Sequence, residues 1–141
     1  MTSHVLFVCT GNICRSPFAE YQARAAWADT DVTTSSAGVS ALVGHAATGS
    51  MVEVGVANGL DLTPHRAQGL ESANPPDLVL CMEQHHVDAA IRAFPNLPHG
   101  SIRLLVDTGI ADPYGMPMDA YERSASIITR GIEGVQLPEV R

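Results

Sequence analysis

Cys9, Gly11, Asn12, Arg15, Ser16 and Pro17 fall in one short segment, VCTGNICRSP at 8 to 17. An apolar run, Val5-Leu6-Phe7-Val8, leads into it. A strand, a short loop and a helix start aim successive backbone N–H groups into one concavity, at the positive end of a helix dipole. That arrangement binds anions. Gly11 permits close backbone approach. Asn12 tolerates a left-handed conformation and can tie the loop internally. Arg15 adds a planar, two-toothed donor suited to a phosphate-like dianion. Cys9 lies at the base, where the dipole, the N–H groups and Arg15 all favour the thiolate form. The chemistry such a cradle would support is phosphoryl transfer to sulfur.

Other readings of these residues fit less well. A Walker loop ends in Gly-Lys-Ser/Thr, and this chain has no Lys. A zinc site would need a second Cys/His pair at ligand spacing, and none accompanies Cys9 and Cys14. Cys81, inside DLVLCM, reads as a small buried hydrophobe. His85 and His86 are adjacent on a helix, so they are expected to face different directions and to be solvated. Cleavage of a phosphate ester also needs an acid beside the departing oxygen. Asp112, in the loop VDTGIADPYGMPM, is the candidate, and Asp107 in the same loop is the weaker one. Arg15 and the N–H groups supply the positive charge, so the chemistry calls for no metal and no cofactor.

The elements that must position these residues alternate. A first strand over 5–8 is apolar without interruption, the mark of a strand covered on both faces. Cys9 ends it. Ser16 reads as the N-cap of a helix with Pro17 in its first position, and Phe18, Gln22 and Ala25 fall at helical spacing. A strand over 31–38 closes on a glycine, and residues 39–46 form a loop. A helix over 47–58 is ended by Gly59. A strand over 77–82, a helix over 83–93 stopped by Phe94-Pro95, and a strand over 101–105 follow. A closing helix over 119–135 takes Asp119 as its N-cap. Strands separated by helices imply right-handed crossovers and a parallel sheet of the α/β class. Binding sites in such sheets lie beyond the carboxyl ends of the strands.

Size and charge set the outer bounds. A chain of 141 residues suffices for one domain, expected over 1–141. A net charge of −7 with eight basic residues, all Arg, disfavours nucleic acid as a partner. The apolar runs are too short to cross a bilayer, and the N-terminus lacks the pattern of a signal peptide. Three cysteines point to a reducing, cytoplasmic setting and to buried or reactive thiols.

The segment FVCTGNICRSPFAE resembles the N-terminal catalytic loop of the low-molecular-weight protein tyrosine phosphatases. The likeness extends along nearly the whole chain, through SSAGVSALVGHAA, LTPHRAQGL, PDLVLCM and ADPYG. GVSALVGHAA is similar to bacterial members that act with exopolysaccharide tyrosine kinases. The resemblance implies a single three-layer domain with a four-stranded parallel sheet in the order 2-1-3-4, flanked by helices. It implies hydrolysis of phosphotyrosine through a phosphocysteine intermediate, with a phosphotyrosine protein, such as a bacterial tyrosine kinase, as partner.

Roles follow from the resemblance residue by residue. Cys9 matches the nucleophile, Arg15 the phosphate-binding residue and Asp112 the general acid and base. Thr10, Gly11, Asn12, Ile13, Cys14 and Ser16 match the substrate-binding loop, with Ser16 bonded to the thiolate. Asn12, Ser36 and His65 match residues that brace that loop. Tyr114 matches an aromatic wall of the pocket, and Leu42 is expected to form the other. Cys14 matches a second loop cysteine that forms a reversible disulfide with the nucleophile. The chain departs from many relatives in two places. Its only Trp is Trp27, on the first helix, and Gln68 stands where they carry a second Arg. An alternative within the same fold is arsenate reduction, for which Cys81 would have to serve as a relay thiol.

Overall fold

The computed structural model describes residues 2–98 and 100–137. Met1, His99 and residues 138–141 of the expected 1–141 domain lie outside the described residues. Four strands and four helices alternate: β1 (Ser3–Cys9), α1 (Arg15–Ala26), β2 (Val32–Gly38), α2 (Gly49–Ala57), β3 (Leu78–Cys81), α3 (Gln84–Ala93), β4 (Ile102–Leu104) and α4 (Met118–Glu133). A single 3₁₀ turn, Leu70–Ser72, precedes β3. The strands form one sheet in the order β2-β1-β3-β4. All pairings are parallel, with Cys9 opposite Gly38 and Val8 opposite Cys81.

The continuous apolar run of β1 has its expected cause. Val5, Phe7 and Cys9 pack on one face of the sheet with Phe18, Met51, Leu62 and Ile128. Leu6 and Val8 pack on the other with Val79, Cys81, Val87 and Ala90. The layers are therefore α1, α2 and α4, then the sheet, then α3. Trp27 ends α1 and stacks on Phe7, with ring centroids 6.3 Å apart. Gly59, at φ 75°, follows α2. Among the described residues no helix is long and apolar enough to cross a membrane.

Three helix details differ from the reading of the sequence. α1 starts at Arg15, not Pro17, and Ser16 is not its N-cap. Cys14 flanks the helix without a side-chain cap. Pro17 still falls in the first turn, where its missing N–H has no intrahelical partner to lose. On α1 the buried stripe runs through Phe18, Ala19 and Ala23, while Ala25 is exposed. α4 starts at Met118 after Pro117, so Asp119 lies inside the first turn and pairs with Arg123 at 3.4 Å. An acidic side chain there still faces the positive end of the helix.

Phe18 is fully buried between α1 and β1. Phe18→Ala is expected to destabilise the protein by about 3–5 kcal/mol, read from chemical denaturation.

Candidate active site

β1 delivers Cys9 to the carboxyl edge of the sheet, and the chain turns through residues 10–14 before α1 begins. Asn12 takes the turn at φ 59°, the left-handed conformation that an Asn tolerates. Among the described residues, no backbone carbonyl accepts from the N–H groups of residues 10 to 14. Gly38 makes the tight approach of β2 possible. A Cβ there would lie 2.4 Å from the Thr10 carbonyl oxygen and 3.1 Å from the Asn12 nitrogen.

A polar layer supports the loop from beneath. The Asn12 amide nitrogen donates to Ser16 Oγ at 2.8 Å and to Ser36 Oγ at 2.9 Å. Its side-chain oxygen accepts from the Gln68 N–H at 2.9 Å. Ser36 donates onward to Glu20 Oε1 at 2.6 Å, and Glu20 pairs with Arg24. His65 Nε2 donates to the Asn12 carbonyl at 2.6 Å. Ser16 Oγ, which accepts from Asn12, lies 2.9 Å from Cys9 Sγ and can donate its own proton to a thiolate there. Asn12 and Ser16 are fully buried and neither lines the cleft above. Gln68, at the position of the departure noted above, holds the Ser36 carbonyl through Nε2 at 3.0 Å.

The Arg15 side chain is 1 % exposed. One terminal nitrogen donates to Glu83 and to the Ile110 carbonyl, the latter at 2.6 Å. The other stands 3.8 Å from Asp112 Oδ2. Its Nε is buried without a partner among the described residues. Burial opposes ionisation of Glu83, but the Arg15 hydrogen bond and charge hold its carboxyl below the usual range.

Above this floor lies a cleft of about 230 Å³. Cys9, Thr10, Gly11 and Arg15 line its base, with Cys14 and Ser40 beside them. Ile13, Leu42 and Tyr114 form the walls, and Asp112 stands at the rim. Leu42 and Tyr114 are both exposed at the mouth. Asp112 Oδ1 accepts from the Tyr114 N–H at 3.1 Å, which orients the carboxylate. Asp107 lines a separate groove beside Glu83 and Gly109. Cys14 accompanies Thr48 at 3.5 Å, and burial pushes its thiol up to about 11. Cys81 packs on the opposite face of the sheet from Cys9, and burial pushes it up to about 12.

The expectation for His86 is overturned. Its ring is fully buried, while His85 is exposed as expected. His86 folds back from the first turn of α3 to the loop, where Nε2 meets Thr10 Oγ1 at 2.8 Å. The two rings do not diverge as expected: their centroids lie 4.0 Å apart, His85 on the solvent side and His86 beneath it. Glu83, His86, Glu20 and Gly38 are site residues that reading the sequence missed. Glu83 had one signal, its place just past the carboxyl end of a strand. Glu20 had another, its place one helical turn after Ser16.

A parallel α/β sheet with a cleft beyond the carboxyl end of its first strand is the usual architecture of a ligand-binding α/β protein. Residues 4–137 match the family Low molecular weight phosphotyrosine protein phosphatase. The chain is 35% identical over 145 residues to the probable low molecular weight protein-tyrosine-phosphatase EpsP of Ralstonia nicotianae, covering 100% of this chain and 98% of that one. The low molecular weight protein tyrosine phosphatase of T. tengcongensis superposes with a TM-score of 0.83 at 34% identity, covering 94% and 96%. Vibrio vulnificus Wzb in complex with benzylphosphonate gives 0.83 at 29% identity, covering 94% and 96%. The chain belongs to the low-molecular-weight protein tyrosine phosphatases.

Two expectations follow from the site. Gly38→Ala forces the Thr10 carbonyl to move, so it should lower stability by about 1–3 kcal/mol and cut aryl phosphate hydrolysis at the same time. Second, burial lowers the pKa of His65, and burial with His85 and Arg15 beside it lowers His86 to about 4. The unfolded chain takes up protons on these rings near pH 6.5, where the native state refuses them. Stability should therefore fall as the pH drops from about 6.5 to about 4, as read by denaturation at each pH.

Proposed function

We propose that the cleft hydrolyses phosphotyrosine in two steps through a phosphocysteine. The observation that carries this reading is the meeting of Cys9, the unpartnered Nε of buried Arg15 and Asp112 in one cleft. Cys9 Sγ attacks phosphorus, and the bond from phosphorus to the phenolic oxygen breaks. The Asp112 carboxyl gives its proton to that oxygen. Arg15 and the loop N–H groups meet the three equatorial oxygens, where charge is spread in the transition state. In the second step Asp112 takes a proton from water, water oxygen bonds to phosphorus, and the sulfur departs as thiolate. The Ser16 hydroxyl, within reach of Sγ, stabilises the negative sulfur at both ends of the cycle.

The walls support an aryl ester. Ile13, Leu42 and Tyr114 flank a phenyl ring with apolar surface, and benzylphosphonate in the related Wzb complex is itself an aryl-bearing phosphonate. A phosphoserine would leave those walls uncovered. A phosphotyrosine protein is thus the substrate, and the exopolysaccharide type of loop after β2 favours a bacterial tyrosine kinase among such substrates. A thiolate nucleophile needs a reducing milieu, which supports a cytoplasmic setting. Cys14, a thiol in the same loop, is the group with which an oxidised Cys9 would form a reversible disulfide. The arsenate reductase alternative is disfavoured, since Cys81 lies across the sheet from Cys9. Folding is proposed to involve the whole 1–141 chain as one domain.

Cys9→Ser should abolish turnover of aryl phosphates while leaving thermal unfolding unchanged, because no base adjoins the new hydroxyl. Residual activity above about a tenth would reject Cys9 as nucleophile, since losing the attacking atom costs decades. Asp112→Asn should lower kcat by roughly 10²–10⁴ for phenols that leave poorly, and far less for those that leave without a proton. An equal loss across the leaving-group series would assign Asp112 a structural role only.

A further inference from the structure

His86 lies outside the proposed chemical steps, yet it is fully buried and joins two parts of the site. Its Nδ1 accepts from the backbone N–H of Glu83 at 3.0 Å. A backbone N–H can only donate, so in the neutral ring the single proton sits on Nε2. That proton is given to Thr10 Oγ1 at 2.8 Å. Thr10 directly follows Cys9 and lines the base of the cleft. Glu83, held at the first turn of α3, carries the carboxylate that grips Arg15. One imidazole therefore touches both ends of the anion cradle, the residue after the nucleophile and the anchor of the arginine.

We propose that His86 is a positioning residue that locks Thr10 and Glu83 to each other and thereby holds the nucleophile's loop and the Arg15 guanidinium in register. The inference rests on the phosphatase reading given above. Burial keeps the ring neutral near pH 7, so the donor–acceptor pattern has one sense only. Glu83, His85 and His86 also bring three ligand atoms within 4.8 Å of one another. Both ring nitrogens of His86 and the Glu83 carboxylate are already bonded within the protein. The cluster therefore serves as a brace and has no free pair of donors for a cation.

The test separates the two bonds of the ring. A glutamine at this helix position can accept the Glu83 N–H, as in an ordinary capping box, but does not reach Thr10 in the same way. Thr10→Val removes the acceptor, and Thr10→Ser keeps it. Kinetics on phosphotyrosine peptides are measured for His86→Gln, Thr10→Val, Thr10→Ser and the His86→Gln/Thr10→Val pair, with thermal unfolding of each. Misplacement of reacting groups costs rate more than binding, so kcat should fall about 10- to 100-fold in His86→Gln and in Thr10→Val. KM should change by less than about threefold, since the walls are untouched. The double variant should be no slower than the slower single one, because both remove one interaction. Thr10→Ser, which keeps the hydroxyl, should recover most of the kcat lost in Thr10→Val. A folded His86→Gln with unchanged kcat overturns the inference, and so do losses that multiply in the double variant. Should His86→Gln fail to fold, the Thr10 pair decides: retention in Ser with loss in Val supports the lock, and equal loss in both overturns it. An inactive wild type would instead overturn the phosphatase reading, and this inference with it.

Discussion

A guanidinium that is 1 % exposed sits at the junction of three segments. Burying such a charge is costly unless it is paired and hydrogen-bonded. Arg15 meets that demand by drawing in Glu83 from the start of α3 and the Ile110 carbonyl from the loop after β4. Those two anchors set where the neighbouring segments run. Asp112 lies only two residues beyond Ile110, so the carbonyl contact that helps satisfy Arg15 also brings Asp112 to the rim of the cleft. The remaining Nε has no partner among the described residues, and the proposed phosphoryl oxygens would supply one. Structure and proposed chemistry are thus two uses of one charge.

The loop depends on a second constraint. Residues 10–14 turn with their N–H groups withheld from backbone carbonyls, so the turn cannot be held by its own ladder. Its carbonyls hold it from one side, with Thr10, Gly11 and Ile13 accepting from the N–H groups of Ser40, Leu42 and Thr48, and side chains hold the rest. Asn12 gathers Ser16, Ser36 and the Gln68 N–H, His65 clasps the Asn12 carbonyl, and Glu20 closes the layer below. Buried polar groups are stable in such a place only when their partners are complete, since a half-satisfied group is costly at low dielectric. The layer is correspondingly well bonded. It ties the loop, α1, β2 and the 65–68 segment into one floor, while the apolar walls above it, Leu42 and Tyr114, stay open to solvent.

The two faces of the sheet divide the thiols. Along β1 the side chains alternate, so Cys9 falls with Phe7 and Val5 on the α1 side. Val8 faces the other way, and Cys81, its partner across β3, follows it. A thiol relay between Cys9 and Cys81 would have to pass through the sheet. Cys14, on the loop itself, has no such barrier, and its hydrogen-bonded, protonated state beside the cleft is a consequence of burial.

Much of this molecule was written locally. An apolar run of even length, a glycine and an arginine at set distances from a cysteine, and helices punctuated by Gly59 and Phe94-Pro95 determined the parallel α/β fold and the place of the cradle. Cys9, Arg15, Leu42, Asp112 and Tyr114 were legible because their types and their positions past strand ends are local facts, and the structure brings all five into one cleft. The start of α1 was misjudged by two residues, because the loop's own geometry, not a Ser cap, ends the turn. The partners of the charges were decided only in three dimensions. Glu83 and His86 reach the site across 68 and 76 residues of chain, and nothing in the spacing of MEQHHV says which histidine turns inward. That choice belongs to packing: the position facing the sheet is closed to water, and a buried imidazole must find donors and acceptors among whatever the fold has brought beside it.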